Sequence, residues 1–474
     1  MDGFIGDTIA ALATPQGAGA IAVIRLSGPG AISITNKVFK GKDLSKQPSH
    51  TIHYGHIMDG DKEVDEVMVS LFRAPKSFTT EDVVEISCHG SPFVAEQILR
   101  LLIQQGARAA KPGEFTLRAF MNGRIDLSQA EAVADLIASE SSAAQELALK
   151  QMRGGVSSEI KTLRQELVHF ASLLELELDF GEEDVEFADR KKLVALTDAL
   201  QAQLKPLIES FQLGNVIKQG INTVIVGRPN AGKSTLLNLL LNEERAIVSE
   251  IPGTTRDTIE EVINIEGIRF RFMDTAGIRN TTDVVEKIGV ERTMEKLKQS
   301  SVYLYLFDVN TTKPKELLQD LHHLGLLGFK GMIIGNKIDK AHWQNTAPFY
   351  RVLDIYKTNV CSPEAALAFP GLLYISSQTH FNLSLLKEKL YRLVMKNSSL
   401  AAQSTVITNL RHHQALVRAK DALDEVKAGI EKQISTDLIA LEVKQALQYL
   451  GEITGEVTND EILGNIFSKF CIGK

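Results

Sequence analysis

The run Gly227-Arg228-Pro229-Asn230-Ala231-Gly232-Lys233-Ser234 fits the pattern GxxxxGK[ST] and continues into Thr235. In such a loop the backbone amides cradle phosphates, the lysine adds a point charge and the Ser234 hydroxyl ligates magnesium. Asp274-Thr275-Ala276-Gly277 ends a second apolar run, where a carboxylate can hold magnesium through water and a glycine can sense a γ-phosphate. Asn336-Lys337-Ile338-Asp339 closes a later run. The Asp339 carboxylate can accept two hydrogen bonds from N1 and the exocyclic amine of guanine. Adenine lacks those donors, and a site left with an unpaired acceptor discriminates strongly, so GTP over ATP is predicted. Ser376-Ser377-Gln378 stands where a fifth guanine-site motif falls, with Ser-Ser in place of the usual Ser-Ala.

Two departures bear on mechanism. Ile278 follows the Asp-Thr-Ala-Gly segment, at the position where Ras-like enzymes carry a water-orienting glutamine, so another group must position the water. Gly253-Thr254-Thr255-Arg256-Asp257 has the character of a first switch. There Thr255 can ligate magnesium, while Arg256 is either an arginine finger or half of a surface ion pair.

These motifs need strands and helices to hold them. Apolar runs at Thr223–Val226, Phe270–Met273, Tyr303–Phe307, Met332–Ile334 and Leu372–Ile375 alternate with helical stretches, the pattern of a parallel sheet wrapped by helices. The phosphate loop follows one strand and opens a helix, as the motif requires. Upstream, short β-like runs such as Ala20–Leu26 and Val83–Ser87, with the turn cluster Ser27-Gly28-Pro29-Gly30, predict a small α+β domain. From Asp126 a long stretch poor in Gly and Pro follows, with Ser128 and Glu131 at capping-box spacing. Leu163, Leu167, Phe170, Leu174 and Leu178 mark one helix face; Leu438, Leu441, Ala446, Leu447 and Leu450 are apolar positions of a later helix. The acidic stretch Glu182, Glu183, Asp184 and Glu186 is expected to be a solvated turn.

A chain of 474 residues suggests several domains, and 44% hydrophobic with 6% aromatic residues is an ordinary globular composition. The net charge of -7 gives no bulk attraction to nucleic acid, so any RNA contact needs a local basic patch. Arg411, His412, His413, Arg418 and Lys420 form the clearest such cluster, either for RNA phosphates or as a solvated helix face. Cys88, Cys361 and Cys471 are too few and too scattered for a disulfide framework or a CxxC metal site, which predicts a reducing, cytoplasmic setting. No signal-peptide pattern and no long apolar span is present, so no membrane association is expected.

Over essentially its full length the chain resembles the tRNA-modification GTPase MnmE (TrmE) family. The resemblance rests on Asp7-Thr8-Ile9-Ala10, Pro112 to Phe120 (Pro-Gly-Glu-Phe-Thr-Leu-Arg-Ala-Phe), Asp126 to Ala132 (Asp-Leu-Ser-Gln-Ala-Glu-Ala), the Gly253-Thr254-Thr255-Arg256-Asp257 switch and the terminal Phe470-Cys471-Ile472-Gly473-Lys474. It implies a multidomain α/β plus α protein. Residues 1–118 would form an N-terminal α+β domain that dimerises and binds tetrahydrofolate, residues 119–214 and 383–474 a discontinuous helical bundle, and residues 215–382 an inserted Ras-like P-loop GTPase domain. The implied activity is GTP hydrolysis coupled to C5 modification of the wobble uridine of certain tRNAs. The implied partners are a second copy, tRNA and the FAD-dependent flavoprotein MnmG (GidA). The one-carbon unit would come from 5-formyl- or 5,10-methylenetetrahydrofolate.

By the same resemblance, G domains pair around potassium held by Asn230, Ser249, Ile251 and Thr254. Ser249, Glu250, Ile251, Pro252, Gly253, Thr254 and Thr255 then line the nucleotide, and Glu286 orients water. Arg25, Glu85, Arg124 and Lys474 match folate-contacting positions, with arginine at 124 where lysine is expected, a change of geometry at equal charge. Taken as bare residues, Arg25 and Glu85 read instead as cross-strand partners, Arg124 as a loop charge and Lys474 as a frayed terminus. Cys471 is either an accessible thiol near one-carbon chemistry or a small buried hydrophobe. The competing function is a GTP-switched assembly or ribosome-maturation factor, which has no need of a folate pocket or the Phe-Cys-Ile-Gly-Lys ending.

Overall fold

Alternating burial along short β-branched runs gives the first unit of the protein its sheet. The computed structural model describes residues 6–179, 190–244, 260–273, 297, 300–324, 330–341, 346–360, 371–395, 405–458 and 460–473. Strands β1 (Ile9–Leu12), β2 (Ile21–Ser27), β3 (Phe39–Lys40), β4 (Thr51–Asp59), β5 (Lys62–Phe72), β6 (Val83–His89) and β7 (Arg108–Ala109) form a sheet ordered β3-β4-β5-β6-β2-β1-β7. All pairings are antiparallel except β1 with β7. Ile24, Leu26, Val84 and Ile86 share a core with Ile34 and Ile98 of the helices Ala31–Val38 and Pro92–Gln104. Successive side chains of a strand point to opposite faces, so Arg25 and Glu85, paired in register, emerge on the other side of the sheet.

The chain divides into two compact units: residues 1–138, 148–208 and 411–474, and residues 139–147 and 209–410. In the first, the helix Leu127–Ile137 starts with a capping box, but Asp126 is the cap and Gln129 its reciprocal partner, not Ser128 and Glu131. The Asp126 carboxylate lies one residue outside the helix and can reach the Gln129 amide, whereas Ser128 is already the second residue of the helix and buried. The expected stripe on the helix Gly155–Asp179 is buried at Leu163, Leu167, Phe170 and Leu174, and this helix packs against Thr436–Thr454. On that second helix the buried face is Ile439, Val443, Ala446 and Leu450; Leu438 and Leu441 instead stand 55% and 51% exposed. The acidic stretch at 182–186 lies outside the described residues.

The second unit holds β8 (Ile221–Gly227), β9 (Glu260–Ile265), β10 (Ile268–Met273), β11 (Val302–Asp308), β12 (Gly331–Asn336) and β13 (Gly371–Tyr374), ordered β13-β12-β11-β8-β10-β9. The strands expected from the apolar runs are parallel neighbours; β9, which sequence did not single out, adds an antiparallel edge. Leu383, Leu386 and Leu390 of the helix Leu383–Met395 lie in the same core as Leu304, Ile334 and Leu373, so the sheet's packing continues past residue 382. Residues 210 and 407 are joined by a bond from the Ile407 amide to Ser210 Oγ of 3.0 Å. A Cβ on Gly214 would stand 2.0 Å from the Ile407 carbonyl oxygen, so glycine permits that approach.

Candidate functional site

Strand β8 delivers the chain to the loop, and two glycines fix how it turns. Gly227 has φ +147°, and a Cβ there would sit 2.0 Å from the Leu306 carbonyl oxygen of β11. Gly232 has φ +98°, and a Cβ would meet Asn336 Nδ2 at 2.4 Å. Asn230 takes the left-handed conformation, φ 59°. The helix Lys233–Glu244 then begins, with Ser234 and Thr235 exposed at its start and Ala231 buried behind the loop. Lys233 folds back so that Nζ donates to the carbonyls of Gly227 at 2.7 Å and Arg228 at 2.8 Å. Burial lowers the lysine's pKa, and those carbonyls are what offset the loss of water around its ammonium. A loop that opens a helix, with no side chain at two close approaches and a tethered ammonium, is chemically suited to phosphates.

The Asn336-Lys337-Ile338-Asp339 segment reaches this loop by two bonds. Asn336, at the end of β12 and 2% exposed, donates through Nδ2 to the Ala231 carbonyl at 2.9 Å. Its Oδ1 accepts from both the amide and the hydroxyl of Ser377, each at 3.1 Å. The second serine of Ser376-Ser377 thus adds a bond that alanine would not make. Lys337, at φ 63°, donates through Nζ to the Asn230 carbonyl at 2.7 Å and to Asp308 at 2.8 Å. Burial works against the Asp308 carboxylate, but its bond from Lys337 and those from Asn310 outweigh it and hold the group below its ordinary value. Asp339 is exposed on the single turn Ile338–Lys340, and Gln378 is exposed beside buried Ser376. The predicted phosphate loop, Asn-Lys-Ile-Asp segment and Ser-Ser-Gln segment therefore come together. Ser249, Glu250, Ile251, Pro252, Gly253, Thr254, Thr255, Arg256, Asp274, Thr275, Ala276, Gly277, Ile278 and Glu286 lie outside the described residues. Sequence reasoning passed over Asp308; its only signal was an acid ending an apolar strand.

A second polar cluster forms in the first unit. Arg25 is bonded to Glu85, Nε to Oε1 at 2.9 Å, and its Nη1 lies 3.4 Å from the Gly473 carbonyl oxygen. The cross-strand pairing expected from bare residues is therefore present. Arg25 also stands over the rings of Phe78 and Phe115, 6.0 and 5.8 Å from their centroids. Arg124 lies over the same Phe78 ring at 5.3 Å and donates to the Ser77 carbonyl. The terminal segment reaches this cluster by its backbone: Gly113 N donates to Cys471 O at 3.3 Å, and Gly473 adopts φ +94° against Leu12, where a Cβ would meet the carbonyl oxygen at 2.3 Å. Cys471 is exposed, not buried. Lys474 lies outside the described residues.

Comparison with known proteins gives these two regions a common context. A family model described as the GTP-binding protein TrmE N-terminus matches residues 8–124, and one described as the MnmE helical domain matches residues 127–471. A tRNA modification GTPase MnmE of Cytophaga hutchinsonii is 53% identical over 99% of this chain and 98% of its own. Proteins of the same name from Flavobacterium psychrophilum and Bacteroides fragilis are 52% and 46% identical, each over 99% of both chains. The chain belongs to the MnmE family. Among solved structures, a GTP-binding protein from Sulfolobus solfataricus in complex with GDP aligns over 50% of this chain and 68% of that one, at 20% identity and a TM-score of 0.27.

Several residues that mark the MnmE family prove to be structural. Glu114, 1% exposed, accepts from Arg108 and from Arg118, which is itself 4% exposed; Arg118 also reaches Asp7 and Glu81. This buried charge network accounts for the acid and the arginine of Pro112–Phe120. Glu131 does the same for Asp126–Ala132, because it accepts from Arg411 Nη2 at 2.8 Å and lies 2.7 Å from His412 Nε2. The basic cluster is consequently not a free cationic face: Arg411 and His412 serve Glu131, Arg418 pairs with Glu452 and Lys420 with Asp424. Among the described residues no helix is long and apolar enough to cross a membrane.

Proposed function

We propose that this chain hydrolyses GTP in the service of tRNA modification. Together with the FAD-dependent flavoprotein MnmG (GidA), it would add an aminomethyl or carboxymethylaminomethyl group to C5 of the wobble uridine of certain tRNAs. The observation that carries the GTPase half is the pair of bonds by which Asn336 and Lys337 fasten the guanine-selecting segment to Ala231 and Asn230 of the phosphate loop. Base and phosphate subsites are thereby held at fixed spacing, as one nucleotide requires. Asn230 to Thr235 would hold phosphates, Asp339 the guanine edge, and Ser376, Ser377 and Gln378 would close the base pocket. The exposed Ser234 hydroxyl beside Lys233 suits magnesium, with Thr255 as its second protein ligand. Asn230, with Ser249, Ile251 and Thr254, would hold potassium. These cations, when bound, neutralise charge that builds on the phosphoryl oxygens. Glu286 would orient the attacking water in the role Ile278 cannot fill.

The second cluster supports the folate half. Arg25 and Arg124 stand over Phe78, and Arg25 is bonded to Glu85 and to the C-terminal backbone, so a flat ring with polar edges and carboxylates finds stacking, an acceptor and cations together. Tetrahydrofolate, when bound, supplies the one-carbon unit, and exposed Cys471 with Lys474 would stand at its approach. The same reading takes the protein as a cytoplasmic homodimer, paired through residues 1–118, with an inserted GTPase domain that takes in the helix Leu383–Met395 and a helical domain on either side of it.

Nucleotide titration of Asp339→Asn tests the base assignment. The variant is expected to lose guanosine nucleotides and gain xanthosine nucleotides, and unchanged GTP affinity would refute it. Removal of residues 470–474 is expected to spare GTP hydrolysis and abolish wobble-uridine modification in a deficient strain. Restored modification by the truncated protein would sink the role of the tail.

A further inference from the structure

Arg228, the second residue of the phosphate loop, turns away from the loop toward the helix Pro314–His323. Its Nε and Nη2 donate to the two oxygens of Asp320 at 2.6 and 3.1 Å, and Nη1 donates to Glu316 Oε2 at 2.8 Å. Glu316 and Asp320 are one helical turn apart and present both carboxylates to one side. Asp320 also accepts from the phenol of Tyr305, on β11 beside β8. The planar guanidinium fork is therefore seated in a two-carboxylate socket that is itself braced by the sheet, a geometry a lysine point charge would not reproduce. The main-chain carbonyl of this same residue receives the Lys233 ammonium at 2.8 Å.

We propose that Arg228 is a positioning residue for nucleotide binding, whose side-chain clamp on Asp320 and Glu316 sets the peptide that orients Lys233 toward the phosphates. The inference rests on the GTP reading of this loop. A half-buried lysine depends on its two carbonyl acceptors for direction as well as for its proton. Releasing the clamp frees peptide 228 to rotate, and Lys233 loses one of the two acceptors that aim it. Because a phosphate-loop lysine contacts the β-phosphate that GDP and GTP share as well as the γ-phosphate, the affinities for both nucleotides fall. A charge-assisted hydrogen bond of about 1.5 to 3 kcal/mol, partly screened at this half-exposed site, translates to roughly tenfold.

The experiment measures GDP and GTP dissociation constants and single-turnover hydrolysis at saturating GTP for the full chain and for Arg228→Ala, Arg228→Lys and Asp320→Asn, with nucleotide-free thermal midpoints alongside. Expected are about tenfold weaker binding of both nucleotides in Arg228→Ala and Asp320→Asn and partial recovery in Arg228→Lys, with saturated turnover lowered no more in Arg228→Lys than in Arg228→Ala. Equal affinity in wild type and Arg228→Ala overturns the inference, as does a lowered thermal midpoint with affinity intact, which marks a plain structural brace. A loss confined to GTP overturns it too, since Lys233 serves both nucleotides. If wild type itself binds no guanine nucleotide, it is the GTP reading that falls.

Discussion

Replacing Glu131 by glutamine removes a buried negative charge from a junction of three helices. The carboxylate faces Arg411 and His412, and Arg411 also donates to the Glu452 and Ile453 carbonyls at the end of the helix Thr436–Thr454. Burial alone would push the Glu131 carboxyl upward, but the charges of His412 and Arg411 outweigh it and bring the value from 4.5 down to about 2. At about 1.4 kcal/mol per tenfold change in protonation, that fall corresponds to roughly 3 kcal/mol in favour of the folded state. Because the folded value lies below the unfolded one, this contribution is complete above pH 4.5 and is lost as pH falls through about 2. Glu131→Gln also leaves the largely buried Arg411 guanidinium without its counter-charge, so the loss is expected at about 3 to 5 kcal/mol. Hydrogen exchange at neutral pH is expected to quicken by about a hundredfold or more in residues 127–137, 410–431 and 436–454. In urea titrations from pH 5 to 2, wild type should lose this increment and the variant should show no such slope. Unchanged protection in those helices, or equal acid sensitivity in both proteins, would refute the stabilising role of the ion cluster.

Gly232→Ala should weaken guanine nucleotide binding by about tenfold or more and cost about 1 to 3 kcal/mol in stability, since φ +98° is foreign to alanine and its Cβ would displace the Asn336 amide at 2.4 Å; isothermal titration and thermal melting check both. Glu286→Ala should slow hydrolysis by about 10² to 10⁴ with nucleotide affinity largely kept, and potassium but not sodium should accelerate the parent enzyme; single-turnover rates in the two salts decide. Burial pushes the Cys88 thiol up to about 11, so alkylation of the folded protein at pH 8 should modify the exposed Cys471 and leave Cys88 untouched, as read by peptide mass spectrometry. Labelling of both cysteines at similar rates would contradict the burial.

Local chemistry made the nucleotide site legible in sequence. A phosphate loop needs glycines where backbone approaches backbone, and Gly227 and Gly232 occur where a Cβ would strike Leu306 and Asn336. Strand periodicity likewise located β8, β10, β11, β12 and β13, because buried parallel strands are continuous apolar runs. Pairing of charges could not be read the same way. Glu131 and Arg411 are 280 positions apart, Arg228 and Asp320 are 92 apart, and no periodicity links either pair. A basic cluster in sequence thus became a set of ion pairs in space, and a buried glutamate that looked like half of a helix cap became their counter-charge. Leu438 and Leu441 illustrate the same limit: their types suit a core, but which face of an amphipathic helix is covered depends on the neighbour that arrives. The sequence by itself determined the phosphate loop, the guanine-selecting segment, the strands that carry them and the family. Only the tertiary structure decided which acids answer which bases, because Coulomb and hydrogen-bond partners are chosen by distance in space, and distance along the chain does not encode it.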